Sequence, residues 1–243
     1  MERKKYFITL FILLVALQTV ASNKTAIYNT YISGDMATWK KVMDHMQQQP
    51  TKTTGFLAEL VNYQYGYIGW CVGNDKEDEA KHYINVAEKY LEILGKRNYS
   101  PGEINAYESA FYGFKIGLSP WKAPIIGPKS VKNAELAMQQ DTENPLGYIM
   151  YGNSQYHMPA VFGGSKEEAI RYFEKAQRLM EQDSAQIKQN WNYLALLTQI
   201  AQSYEEIKNY AKAKAYFEKI LQIEPHFLWV KNELYPKFLK ETE

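Results

Sequence analysis

The sequence predicts an all-α protein, a solenoid of helical hairpins in which each pair of helices stacks on the next. Long strand-like alternation of apolar and polar residues is absent. Instead, apolar residues recur three and four positions apart in runs that glycine and proline interrupt. Two of these runs repeat each other, because 39 residues separate Gly113 from Gly152 and also Ala137 from Ala176. An internal repeat of this length is typical of stacked helical pairs.

The composition supports a folded domain and excludes several kinds of site. Of the 243 residues, 46% are hydrophobic, which provides enough apolar surface for a packed core. The 28 basic and 27 acidic residues leave a net charge of +1, and this balance argues against a dedicated nucleic-acid binder. Cys71 is the single cysteine, so an intrachain disulfide and a cysteine-based zinc cage are excluded. We expect it to be a buried structural thiol.

Residues 1–22 have the pattern of a secretory signal. Three basic residues precede an apolar run at residues 6–17, and small residues follow it. We expect cleavage after Ala21 or Ser22; the alternative is that the segment is retained as an N-terminal anchor. Residues 23–243 then form a single repeat domain. An exported chain with one cysteine fits the bacterial periplasm best, and a secreted protein otherwise.

Two helical pairs are predicted in the N-terminal part of this domain. Residues 26–33 pair with residues 36–48 around a turn at Gly34. Residues 56–71 then pair with residues 79–94, whose apolar side chains fall on one side of the helix.

The two central pairs carry the internal repeat. In each pair, a glycine on the first helix precedes a small residue on the second helix by 17 positions, Gly113 before Ser130 and Gly152 before Ala169. Small residues at these places allow the two helices of a pair to approach closely.

The last pair, residues 194–225, resembles the tetratricopeptide repeat family. The matching residues are Leu197, Ile200, Ala201, Tyr204, Ala213, Phe217 and Pro225. The departures are Ala201 in place of glycine and Ile220 where a second small residue is usual. The resemblance implies a right-handed superhelix of about five helix pairs, with residues 227–240 as a capping helix at its end.

A second, narrower resemblance involves one turn and one helix. Pro159 and the pair Gly163 and Gly164, followed by a helix that carries Ala169 and Phe173, are similar to exported bacterial repeat proteins. Among these are the periplasmic T-component proteins associated with TRAP transporters. This resemblance implies a role in solute capture.

The tetratricopeptide resemblance also implies a groove, because the first helices of such arrays line the concave face. The groove residues that we predict are Tyr63, Tyr67, Trp70, Tyr107, Phe114, Asn153, Tyr156 and Gln202. This face is aromatic and mostly uncharged, which suits a protein or peptide partner, or a small apolar or carbohydrate-like ligand. The alternative for each ring is a place in the core between repeats.

Two enlarged turns, residues 119–128 and 157–165, are predicted to lie on one edge of the solenoid. Their rim residues are Trp121, Pro124, Pro159, Phe162, Gly163 and Gly164. These turns either form a rim over the groove or fold back as local plugs.

Catalytic and metal-binding patterns are missing from the sequence. The four histidines fall on different helical pairs, and no two of them lie four residues apart. The glycines at Gly66, Gly69 and Gly73 follow no strand, so a dinucleotide fingerprint is not supported. The acidic cluster within residues 75–79, with His82, suits a helix N-terminus better than a metal site. We therefore expect no enzyme, no cofactor and no metal.

The favoured function is that of an exported scaffold that mediates protein–protein interaction in the cell envelope. The alternative is a periplasmic protein that captures a small molecule and assists a transporter. An enclosed cavity beneath the two turns favours capture, whereas an open groove, or one filled by the protein's own side chains, favours a protein partner. We expect no nucleic-acid partner, and no membrane span once the signal is cleaved.

Overall fold

The computed structural model of the protein describes residues 23–242. Every regular element in that range is helical, as predicted, and the range contains no strand. The predicted secretory signal, residues 1–22, lies outside the described residues. The helices are α1 (residues 23–33), α2 (Met36–Gln48), α3 (Thr54–Gly73), α4 (Glu77–Lys96), α5 (Pro101–Leu118), α6 (Ala123–Gln140), α7 (Pro145–His157), α8 (Lys166–Glu181), α9 (Ser184–Ile187), α10 (Trp191–Glu206), α11 (Tyr210–Ile223) and α12 (Tyr235–Thr242).

The helices form hairpins along the chain. The most extensive contacts between elements join α3 to α4, α5 to α6, α7 to α8 and α10 to α11. α1 and α2 form a further pair around Gly34, which turns the chain with a left-handed φ of 75°. α12 follows the last pair and contacts α11. The prediction of about five helix pairs with a closing helix is confirmed.

Polar caps fix where the first helices of the pairs begin. Thr53, Ser100 and Asn144 stand immediately before α3, α5 and α7, and each side chain accepts a hydrogen bond from a backbone N–H of the first turn. Pro101 and Pro145 follow two of these caps at the first helical position, where the missing N–H costs no hydrogen bond.

Packing between paired helices depends on what faces the glycine of the first helix. A Cβ atom on Gly152 of α7 would lie 2.5 Å from Cε1 of Phe173 in α8, which leaves room for hydrogen only. Gly113 occupies the equivalent position in α5, and a Cβ atom there would meet nothing within 4 Å. The difference follows from the second helix, because α6 has Ala134 where α8 has Phe173.

The two ends of the solenoid touch each other. The Tyr28 hydroxyl in α1 donates a 2.8 Å hydrogen bond to Glu224, which lies 196 residues further along the chain. The Tyr31 ring centroid lies 5.0 Å from that of Phe227 and 5.7 Å from that of Trp191. α1 therefore bridges the first and last pairs, and the repeats form a closed arrangement.

The C-terminal segment differs from the single helix predicted for residues 227–240. A π-helical turn, Val230–Leu234, precedes α12. Pro236 lies just beyond this turn and has no N–H to donate to the carbonyl four residues earlier, so the wider turn accommodates its ring. Buried Phe238 anchors α12 to the core. Among the described helices, none is both long enough and apolar enough to cross a bilayer.

Candidate functional site

The first helices of successive pairs form one curved face. α3 contacts α5, α5 contacts α7, and the Tyr156 hydroxyl of α7 donates a hydrogen bond to Glu206 of α10. Side chains of α3 also reach past α5, since Tyr65 lies next to the Asn153 side chain of α7. Contacts that skip a neighbouring helix require the row to bend, so this face is the concave one.

Tyr65 occupies the middle of the concave face. Its ring stacks on Phe114 of α5 with a centroid distance of 5.6 Å. Burial raises the pKa of the Tyr65 hydroxyl to about 12, although the neighbouring Asn153 side chain acts in the opposite direction. The hydroxyl therefore stays protonated over the physiological range.

Trp191 closes one end of the concave face. Its indole Nε1 donates a 3.1 Å hydrogen bond to Asn62 Oδ1 of α3. Its ring lies against Gly66, where a Cβ atom would be 2.6 Å from Cη2 of Trp191. The ring also meets Trp39 edge to face at 5.2 Å. The floor of the groove is thus filled by the protein's own side chains at this end.

Three of the predicted groove residues lie in the core. Tyr63 and Tyr107 are each 4% exposed, and Tyr67 is 3% exposed. The Tyr63 ring packs on Trp39 of α2, and the Tyr67 ring packs on Tyr83 of α4. The Tyr63 ring therefore fills space between two helix pairs, the Tyr67 ring fills space within its own pair, and the Tyr107 ring is buried beside Tyr65. All three occupy the core, which is the alternative that the sequence left open, and their placement on the concave face is corrected.

The concave residues of α3 are instead Asn62, Tyr65 and Gly69, which the prediction missed. Asn62 Nδ2 donates to the buried Tyr107 hydroxyl of α5 at 3.0 Å. A Cβ atom on Gly69 would lie 3.5 Å from Phe114. The sequence contained this register, because the step from Ala213 of α11 back to Ala80 of α4 maps the predicted groove residue Gln202 onto Gly69.

The remaining predicted groove residues are half-buried. Trp70 lies beside Tyr67, with Lys76 Nζ 5.3 Å from its ring centroid. Phe114, Asn153 and Gln202 are partly accessible along α5, α7 and α10.

A charged cluster lies where α7 ends. Lys166 Nζ is 3.4 Å from the ring centroid of Tyr156 and 2.7 Å from the Glu206 carboxylate. Burial acts to raise the pKa of Glu206, but hydrogen bonds from Lys166 and Tyr156 outweigh it and lower that pKa. The Lys166 ammonium group therefore already contacts two residues of its own chain, Tyr156 and Glu206.

The first enlarged turn is shorter than the predicted residues 119–128, because α6 already begins at Ala123 and contains Pro124. Both turns expose their apolar side chains. Trp121 and Phe162 are each 73% exposed, and Val161 is 83% exposed. The second turn needs its two glycines, because Gly163 has a φ of 97° and a Cβ atom on Gly164 would overlap the Met158 carbonyl. Pro124 and Pro159 are exposed beside these residues. The apolar side chains of both turns are therefore exposed and do not fold back as plugs.

A cleft of about 360 Å³ lies away from the two turns, between α1, α9, α10 and α11. It is lined by Tyr28, Ser184, Ile187, Lys188, Gln189, Tyr193, Leu194, Ile223 and Glu224. The cleft is open to solvent on one side. It does not coincide with the predicted groove.

Reactive chemistry is scarce in the described part of the chain. Between residues 23 and 242, no three His, Cys, Asp or Glu side chains come together in a way that could hold a metal ion. Cys71 is fully buried, and burial raises the pKa of its thiol to about 12. The thiolate form is therefore negligible at neutral pH.

Comparison with known proteins agrees with the repeat architecture. Residues 194–227 match the family model of the tetratricopeptide repeat. No curated protein sequence matches the chain. Among solved structures, the HusA haemophore from Porphyromonas gingivalis is similar, with a TM-score of 0.61 and 18% sequence identity. The match covers 77% of this chain and 92% of that one, and at this identity it shows the fold alone.

The matched segment coincides with α10, α11 and the turn that follows them. Its buried Ala201, Ala213 and Phe217 are the residues by which the pattern was predicted. Tetratricopeptide repeats are generally non-enzymatic modules that offer a surface for protein contacts. Residues 194–227 therefore match one tetratricopeptide repeat, which stands at the end of an all-α array of stacked helical pairs.

Proposed function

We propose that this protein is an exported, non-enzymatic scaffold of the cell envelope that binds a partner polypeptide on its concave face. The observation that carries the proposal is the pair of half-buried carboxamides, Asn153 on α7 and Gln202 on α10. A carboxamide both donates and accepts hydrogen bonds, so it matches the alternating N–H and C=O groups of an extended peptide. Half-buried Phe114 on α5 adds apolar contact area.

The partner segment is expected to be uncharged or apolar. Lys166, the cation beside Tyr156, is already paired with Glu206 at 2.7 Å. A segment that presents a carboxylate there would compete with Glu206 for this partly exposed cation, whereas an apolar or proline-rich segment would not.

Export to the periplasm rests on the pattern in residues 1–22. The test is the N-terminal residue of the protein recovered from the periplasm, which is expected to be Ser22 or Asn23. A product that retains Met1 and sediments with membranes would favour the anchored alternative.

The binding proposal is tested by comparing protein partners captured from an envelope extract by the native chain and by two variants. Asn153→Arg and Gln202→Arg together place bulky charge on the concave face. Lys214→Glu alters the exposed surface of α11 and is the matched control. We expect a specific partner to bind the native chain and the control and to be lost by the double variant. Equal binding by all three would contradict a concave site.

A second candidate is capture of a small flat apolar molecule, which corresponds to the transporter-linked alternative. Two observations favour it: the similar structure is a haemophore, and the concave face has accessible aromatic surface at Tyr65 and Phe114. The test is titration with a porphyrin while tryptophan fluorescence is followed. Saturable quenching that Phe114→Ala weakens, with Trp229→Ala as the exposed aromatic control, would favour capture. Absence of saturable binding would contradict the capture of a small molecule and favour the protein-partner proposal.

A further inference from the structure

The two enlarged turns share one edge of the solenoid. Each joins the first helix of a pair to the second, and the two pairs, α5 with α6 and α7 with α8, are neighbours. We call the exposed residues Trp121, Ile125, Val161 and Phe162, together with Lys122 and Lys129, the turn edge.

The turn edge exposes more apolar surface than single surface residues normally do. Its four large apolar side chains are between 66% and 83% exposed. Trp121 and Ile125 lie four residues apart beside the first turn, and Val161 and Phe162 are adjacent in the second. Large exposed apolar groups that are grouped in this way mark a contact site. Each turn includes a short 3₁₀ helix, Pro120–Lys122 or Ala160–Phe162, so the side chains are presented on ordered backbone and little entropy is lost on contact.

Positive charge surrounds the first turn. Residues 109–134 contain four lysines and no acidic residue. Lys115 is paired with Glu88, whereas Lys122, Lys129 and Lys132 form no ion pair with any residue between 23 and 242. Lys122 Nζ lies 5.4 Å from the Trp121 ring centroid, so charge and aromatic surface stand side by side.

The second turn is less basic. No acidic residue occurs in residues 144–166, but Glu167 and Glu168 follow at the start of α8. Arg171 is paired with Glu168, and Lys166 with Glu206. The first turn therefore carries the excess positive charge, and the second turn adds apolar surface.

We propose that the turn edge binds an anionic lipid membrane surface. Its four large apolar side chains, which we call the tips, enter the interface between headgroups and acyl chains, where tryptophan is favoured. The lysines remain at the level of the phosphates. A protein partner fits this edge less well, because the exposed tips offer large apolar groups but few side-chain hydrogen-bonding groups. The site is separate from Asn153 and Gln202, so the inference goes beyond the partner-binding role.

The experiment measures cosedimentation with lipid vesicles. Vesicles of phosphatidylglycerol and phosphatidylethanolamine are compared with vesicles of phosphatidylcholine alone. Every variant begins at residue 23, so that the apolar leader cannot contribute; the described core lies wholly within residues 23–242. Trp121→Ser with Phe162→Ser removes two tips, and Lys122→Glu with Lys129→Glu reverses two charges. Trp229→Ser, at an exposed aromatic outside the turn edge, is the matched control.

We expect binding to the anionic vesicles that weakens as salt is added. The double tip variant should lose roughly tenfold or more in partition coefficient, since one tenfold step corresponds to about 1.4 kcal/mol. Neutralising a lysine near an anionic surface costs about fivefold, and reversal costs more. The control should bind like the native chain.

Three results would overturn the proposal. One is absence of binding to anionic vesicles, and another is undiminished binding by the tip variant, which would mean that net charge alone is responsible. The third is photo-cross-linking from position 121 that reaches a protein while vesicles do not compete. Asn153→Ala with Gln202→Ala, which keeps the net charge, should weaken partner capture and leave vesicle binding unchanged, so failure of this proposal and failure of the concave partner site are distinguishable.

Discussion

Gly113 and Gly152 occupy the same position in neighbouring repeats, and alanine should have opposite effects at the two sites. Gly152→Ala forces a methyl group against Phe173 and should lower the free energy of unfolding by about 1–3 kcal/mol. The methyl group of Gly113→Ala meets open space. This variant should raise the free energy of unfolding by up to about 1 kcal/mol, because alanine favours the helix. Urea unfolding of both variants measures the difference. Equal effects would contradict the packing described for α7 and α8.

At the scale of single residues, the sequence predicted which residue types α3 contains better than it predicted which way each side chain points. The aromatic character of α3 was evident, but Tyr63 and Tyr67 face other helices while Asn62 and Tyr65 face the groove. On a helix a shift of one position rotates a side chain by about 100°, and an aromatic ring suits core and groove equally. Only the alignment with the second helix of the pair distinguishes a core position from a groove position.

At the scale of elements, the contact between α10 and α3 should be worth more than an ordinary surface contact. Trp191 is 7% exposed and packs on Tyr31, Trp39 and Tyr65. Trp191→Ala should lower the free energy of unfolding by about 3–5 kcal/mol, because a large buried side chain leaves a cavity. Chemical denaturation gives this value.

A second measurement separates closure from general destabilisation. If Trp191 holds α1 in place, the Trp191→Ala variant should show faster amide hydrogen exchange than the native chain. The acceleration should be larger in residues 23–33 than in α7 and α8. Trp229→Ala, at a site 41% exposed, should change neither property. Uniform acceleration along the chain would show that Trp191 contributes to the core without closing the fold.

Helix positions were predictable because they depend on local signals. The apolar spacing and the turn at Gly34 placed the first pairs, and the small residues Ala213 and Ala201 identified the last pair. The π-helical turn was missed, since Pro236 was read as part of one continuous helix. The contact of α1 with the last pair was missed for another reason: periodicity contains no information on residues that lie far apart in the chain.

At the scale of the whole molecule, tyrosine hydroxyls bonded to carboxylates recur throughout the fold. Tyr83 donates to Asp44 at 2.6 Å, and Tyr193 donates to Glu181 at 2.6 Å. Burial, and then the neighbouring carboxylate, raises the pKa of each of these tyrosines in the folded state. Each hydroxyl is therefore harder to deprotonate in the folded chain than in the unfolded one.

This network predicts alkaline instability. The unfolded chain loses tyrosine protons near pH 10 while the folded chain keeps them, so stability is full below about pH 10 and falls as pH rises further. The slope should be about 1.4 kcal/mol per pH unit for each tyrosine that keeps its proton. Urea unfolding between pH 8 and pH 11 measures it, and Tyr83→Phe should make the slope shallower. A stability that stays constant throughout would contradict the network.

The bond between Tyr28 and Glu224 has a consequence for the order in which the fold can be completed. A ribosome makes α1 first and residue 224 nearly last, and 196 residues separate the two partners. Most repeat arrays can grow from one end, since each repeat contacts only its neighbours. Here part of the surface that α1 packs on, at Glu224 and Phe227, does not exist until the last hairpin is made. Truncation within α11 should therefore expose Tyr31 at the opposite end of the chain, so the two termini act as one cooperative unit.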